Sequence, residues 1–263
     1  MMTSVSKYHA SRENIVTVGV VADWMSCQKT VDGGMNATLL DYGVISCSFG
    51  RHAARRIFEA ILHVPFDSLH VCYEGSRSCF FLPPSVLGYA HMPICLDFRH
   101  DPSISIIPQR YWQPTTDSNC GRYVTGAKLQ NPIFLDHLNG KGFGLTVEEA
   151  CNGQGAHLRR WNETVELGGK ANIQLRIWLH ADAWQRQIST RDQKLRKNTI
   201  PLRQFVKQLG NTVRDYLKSY SLFSETGQLI NDDDIVILAA VHVSAGSWQP
   251  ILACCSGKVY LEG

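Results

Sequence analysis

The sequence predicts an α+β protein: a mixed or antiparallel sheet with helices packed on it. Three observations carry that prediction. Two stretches hold apolar residues at helical spacing, one over residues 51–64 and one from Pro201 to about Tyr220. Several short segments alternate apolar and polar residues or are apolar throughout, as strands are. The chain has 263 residues, 44% hydrophobic and 19% charged, enough to bury a large core.

Taken in order, residues 1–13 are polar and predict a flexible arm, and residues 14–22 predict a strand. Ile15–Ala22 follows Lys7 and Arg12, a faint echo of a signal peptide. Glu13, Thr17 and Gly19 dilute it and no small-x-small cleavage site follows. Residues 28–36 read as a loop. In the first helix Ala54, Ile57, Phe58, Ile61 and Leu62 share one face, and Pro65 ends it. Residues 68–82 predict a β-hairpin around Gly75-Ser76, with Cys72 opposite Cys79 if those two residues alone form the loop. Residues 92–98 and 103–107 are short strand candidates.

Residues 108–130, rich in Pro, Thr and Gly at their start, predict a linker or long loop. It would separate an amino-terminal α/β part (14–107) from a carboxy-terminal domain (131–263). In that domain Thr146 and Glu149 form a capping box for a short helix. Ile173, Leu175, Ile177 and Leu179 alternate with Gln174, Arg176, Trp178 and His180, a half-buried strand, and Trp184 and Ile188 suggest a second. Pro201 opens the long helix. Ile235–Ser244 reads as a central strand, and residues 250–255 and 258–261 as a final pair. Strand, strand, helix, strand predicts a β-grasp-like arrangement.

The run Asn131-Pro132-Ile133-Phe134-Leu135-Asp136 is followed by a Gly-rich turn and Leu145. After it come Leu175-Arg176-Ile177-Trp178, Trp184, Gln187-Ile188, Pro201 and Val241-His242-Val243-Ser244, closed by Gly246-Ser247-Trp248-Gln249-Pro250. Over residues 131–252 this resembles a large group of uncharacterised intracellular proteins of mushroom-forming (basidiomycete) fungi, and Gly-Ser-Trp-Gln-Pro is its most specific segment. The resemblance implies a cytoplasmic or nuclear protein and implies nothing about chemistry.

The net charge of +3 permits an acidic partner without arguing for one. The longest apolar run, Ile235–Val241, is too short to span a bilayer, so no membrane partner is expected. Nine cysteines, an odd number and several inside apolar runs, suit reduced thiols better than a disulfide scaffold.

Four groups of residues compete for a function. Cys72, Cys79, His91 and Cys95 lie close enough in sequence to hold zinc, the one cofactor the chain suggests. The competing reading makes them core thiols and expects no cofactor. A nucleophilic cysteine oriented by Asp97, Asp136 or Asn139 is the corresponding hydrolase reading, without any flanking signature. Arg203, Lys207, Arg214 and Lys218 form a basic stripe on the long helix that can track phosphates, while Arg51, Arg55 and Arg56 crowd the first helix. An amphipathic helix, however, needs a charged outer face in any case. Trp178 with Arg176, and Trp112 in the loop, offer an aromatic-plus-Arg surface of the kind that anchors partners. The expectation is a binding or scaffold protein, with one partner surface spanning Arg176, Trp178 and the helix stripe and an unknown protein as partner. The alternatives are a Cys- or zinc-dependent hydrolase and a nucleic-acid binder using the helix face.

Overall fold

The structure is a computed structural model and describes residues 34–84, 93–140, 142–191, 198–255, 257 and 259–261. The arm at 1–13, the strand at 14–22, Cys27 and His91 lie outside the described residues. The fold is α+β with mixed and antiparallel sheets.

Two strands organise it, β12 (Ile235–Ser244) and β13 (Ser247–Cys254). They form an antiparallel hairpin in which every strand residue is buried. Burial on both faces explains why they read as near-continuous apolar runs. A register shift between Ile237 and Ala239 lets adjacent residues supply the same face. Ile235, Ile237 and Ala240 enter one core, and Val236, Leu238, Ala239, Val241 and Val243 the other.

Around this hairpin β4 (Ser105–Ile106), β5 (Ile133–Phe134) and β6 (Leu145–Thr146) add short antiparallel edges. Strand β8 (Asn172–Ile177) pairs parallel with β13, and β9 (Trp184–Ser189) pairs antiparallel with β8. The order is therefore β9-β8-β13-β12-β5.

On one face lie α5 (Val147–Asn152) and α6 (Leu202–Ser219). Helix α5 starts at the capping box of Thr146 and Glu149, as its sequence predicts. Helix α6 buries Leu202, Phe205, Val206, Leu209, Val213 and Tyr216 against Ile173, Leu175, Ile177 and Trp248. On the other face lie α1 (Gly34–Tyr42), α2 (Val44–Phe49) and α3 (Arg51–Leu62), with the sheet of β1 (Cys72–Glu74), β2 (Cys79–Leu82) and β3 (Ile94–Phe98). Helix α3 ends where His63 turns left-handed, two residues before Pro65. Two small antiparallel pairs complete the chain: β7 (Thr164–Glu166) with β10 (Thr199–Pro201), and β11 (Leu222–Ser224) with β14 (Val259–Leu261).

Two expectations are corrected. The predicted loop at 28–36 gives way from Gly34 onward to α1. The β1–β2 loop holds four residues, so Glu74 faces Cys79 and Cys72 faces Phe81 rather than Cys79. The two carboxy-terminal strand candidates, 250–255 and 258–261, fall in β13 and in β14, the partner of β11. Residues 108–130 form a long connection with short helical segments at Asp117–Cys120 (α4) and Gly121–Thr125, and residues on both sides of it enter one core across β12 and β13.

Candidate binding groove

The site grows out of the alternation in β8. Ile173, Leu175 and Ile177 face α6, so Gln174 and Arg176 must face the opposite side, followed by Trp178 just beyond the strand. That side of β8 is crossed by the segment after Pro108, a strap whose far end holds two short helical segments, α4 (Asp117–Cys120) and Gly121–Thr125. Buried Gln249 of β13 clamps the strap by accepting from the Trp112 N–H (2.7 Å) and donating to the Arg110 carbonyl (3.2 Å). The Gln109 amide donates to the Pro250 carbonyl (2.7 Å), and the Arg110 N–H to the Trp178 carbonyl (2.9 Å). A side-chain amide that bonds backbone on both of its ends replaces a strand ladder where the loop offers none.

Between strap and sheet lies an open groove, lined by Trp112, Gln113, Asn119, Tyr123, Gln174 and Arg176, with the β12–β13 turn at one end. Arg176 is its centre. Its Cζ sits 3.7 Å from the centroid of the Trp112 ring, its Nε donates to Ser247 Oγ (3.1 Å) and its Nη1 to Gln185 Oε1 (2.5 Å). Among the described residues no carboxylate pairs with it, and burial lowers its pKa. A half-buried guanidinium held flat by neutral partners keeps most of its positive field for whatever enters the groove. Gln113 adds a buried Oε1 with no hydrogen-bond partner among the described residues.

Two further guanidinium–ring pairs flank this one. Arg110 lies over Trp178 (5.8 Å) and Arg122 over Tyr123 (5.2 Å). Trp178 is half-buried, with its Nε1–H donated to the Ala181 carbonyl (3.1 Å). Arg110, Gln113, Asn119, Tyr123 and Arg122 escaped the sequence reading, because nothing in a Pro- and Thr-rich loop signals that it will lie against a sheet. Ser247 and Gln249 were visible as a distinctive segment but not as the parts that hold Arg176 and the strap.

The remaining predicted residues fall elsewhere. The basic stripe of α6 points away from the sheet on the far side from Arg176, so the two do not form one surface. Arg214 is paired with Asp232, and Lys218 lies 3.7 Å from Asp215. Arg203 and Lys207 are exposed. On α3, Arg51 pairs with Asp41, and Arg55 with Glu59 and Asp67.

Cys79 and Cys95 meet across β2 and β3 in a cleft with Arg77, Arg159 and Asp136, and Cys72 is half-buried on the neighbouring strand. The hydrogen bond that the Cys95 S–H donates to Cys79, and then burial, hold the Cys95 thiol well above its ordinary pKa, so it stays protonated. Among the described residues no three His, Cys, Asp or Glu side chains gather to hold a metal. Asp97 does not orient a histidine. It accepts the Ile45 and Phe98 N–H groups instead. Asp136 is held by Arg159 (2.8 Å) and lies 3.9 Å from Arg77.

No helix among the described residues is long and apolar enough to cross a membrane. Compared with protein-family models, curated proteins and solved structures, the chain matches none.

Proposed function

We propose that this is a binding protein whose ligand surface is the groove between the strap and β8, and that its ligand presents an anionic group to Arg176. The observation that carries this is the state of Arg176: half-buried, stacked on Trp112, held by Ser247 and Gln185, and without a carboxylate partner among the described residues. The segment Gly246–Pro250 supports it, since Ser247 positions Arg176 while Gln249 fixes the strap. The hydrolase reading has less to stand on, because a protonated, buried Cys95 is a poor nucleophile. Zinc at Cys72, Cys79 and Cys95 with His91 is retained only as the minor proposal.

The same reading takes the part built from β8, β9, α6, β12 and β13 as β-grasp-like. Its support is two hairpins joined through a helix, with the inner strands β8 and β13 parallel. It also takes the fungal resemblance over residues 131–252, and with it a cytoplasmic or nuclear setting, as part of the proposal.

The test is a titration with a short linear polyphosphate followed by tryptophan fluorescence, on the wild type and on Arg176→Gln. Losing the charged donor lowers affinity about tenfold or more, the range for hydrogen bonds to charged groups. Equal binding by the two proteins, or no binding by the wild type, refutes the proposal.

A further inference from the structure

We infer that the ligand of this groove is single-stranded nucleic acid; the inference rests on the groove being the binding surface. A polyanion of any kind would be satisfied by cations alone. Here the cations come interleaved with flat rings. Arg176 lies on Trp112, Arg110 on Trp178 and Arg122 on Tyr123, all along one strap and the adjoining strand. Single strands are bound by this combination, a positive groove for the backbone and aromatic faces on which successive bases stack.

Charge complementarity supports the same occupant. The groove lining contains no acidic residue, and Arg110 and Arg122 flank it. The rest of the lining is suited to base edges, which need neutral donors and acceptors. Gln174, Asn119 and Gln113 offer amides there, and Gln113 Oε1 is buried with no partner among the described residues. A duplex would not offer its base faces to the rings. The outward positions of β8 from Gln174 to Trp178 run about 13 Å, long enough for a short stretch of unpaired bases. The basic stripe of α6 has no ring among its four cations and takes no part.

The experiment is fluorescence anisotropy of a labelled oligouridylate with the full chain, beside a polyphosphate of equal charge as a polyanion without bases. We expect the oligouridylate to bind more tightly than polyphosphate. Three phosphate-facing arginines give a slope of log K against log salt of roughly −2. Tyr123→Leu and Trp178→Leu each weaken the oligouridylate about tenfold, the range for loss of one stacked base, and leave polyphosphate unchanged. Tyr123→Phe, which keeps the ring, retains binding and guards against a folding artefact. Arg176→Gln weakens both probes, and the double reversal Arg203→Glu with Lys207→Glu weakens neither.

If both probes bind alike and the ring variants move neither, the nucleic-acid inference is overturned while the anionic groove stands. If neither probe binds the wild type, both are overturned. Binding that follows Arg203 and Lys207 instead of Arg176 also overturns both and moves the site to the helix.

Discussion

Replacing Asp97 with alanine should remove a large share of the protein's stability. Asp97 is fully buried on β3 and makes no ion pair among the described residues. It accepts the Ile45 N–H at 3.0 Å and the Phe98 N–H at 2.8 Å, and Val44 also donates to it. It thereby caps the start of α2 from a strand more than fifty residues away, where Gly43 supplies no side-chain cap. Gly43 itself must lack a side chain, because a Cβ there would lie 2.4 Å from Asp97 Oδ2. Leaving the Ile45 and Phe98 N–H groups alone without an acceptor costs about 1–3 kcal/mol each, so Asp97→Ala should lose at least roughly 2–6 kcal/mol. That is a large fraction of the 5–15 kcal/mol, roughly, that holds a domain folded.

Burial also pushes the Asp97 pKa well up, against the lowering effect of the three N–H groups. The native state therefore keeps a proton that the unfolded chain gives up near the ordinary carboxyl value of 3.8. Above that pH the native state binds more protons than the unfolded one, so this group makes stability fall as pH rises toward its folded pKa. Urea denaturation of wild type, Asp97→Ala and Asp97→Asn across acidic to neutral pH measures both effects. The difference between wild type and Asp97→Asn should grow in the direction of a less stable wild type as pH rises through that window. A loss under about 1 kcal/mol for Asp97→Ala at neutral pH, or a pH-independent difference for Asp97→Asn, would refute the reasoning.

Three further outcomes are expected. His242 accepts the Gln130 N–H through Nδ1 (2.8 Å), and burial lowers its pKa from 6.5 to about 4. The unfolded chain takes up a proton first as pH falls, so about 3 kcal/mol should be lost between pH 6.5 and 4, and His242→Asn should lack that loss in the same denaturation series. Gly210→Ala would ordinarily stabilise a helix interior by about 1 kcal/mol. Here the new Cβ meets Ala150 Cβ at 2.8 Å and the Cys151 backbone nitrogen at 2.9 Å, so calorimetry should show a lower melting temperature. Gly144 has φ +108° and a Cβ there would lie 2.5 Å from Val236 Cγ1, so Gly144→Ala should be destabilising by at least 1 kcal/mol, roughly, a value urea titration can check.

The parts of the fold written in local pattern were legible. Helices α3 and α6 announce themselves by an apolar face at helical spacing, β8 by strict alternation, and α5 by Thr146 and Glu149. Helices α1 and α2 were not legible. Neither has a clear apolar stripe at its start, and α2 depends on a cap supplied by Asp97, far along the chain. The β1–β2 register was missed because a four-residue loop, with Ser78 at φ +51°, carries no stronger signal than a two-residue Gly-Ser turn. The groove was half legible. Arg176 and Trp178 stood out as polar and aromatic residues on an alternating strand, but their neighbours Trp112 and Tyr123 reach them only through bonds to Gln249 and the β12–β13 turn. Joining Arg176 to the α6 stripe failed because the sequence does not say which side of a sheet a helix covers.

The position of the β12–β13 hairpin in the chain sets the order in which this protein can fold as it is made. Both apolar layers close on strands drawn from residues 235–254, yet one of those layers is assembled from helices and strands that leave the ribosome well before. Until the hairpin emerges, Leu39, Ile45, Ile57 and Phe58 can meet only the small sheet of β1, β2 and β3, and β8 has no parallel neighbour. A nascent chain stopped short of residue 235 would carry its apolar surface uncovered, a species prone to aggregate or to engage chaperones. Both layers are thus completed only by a hairpin made after most of their other parts.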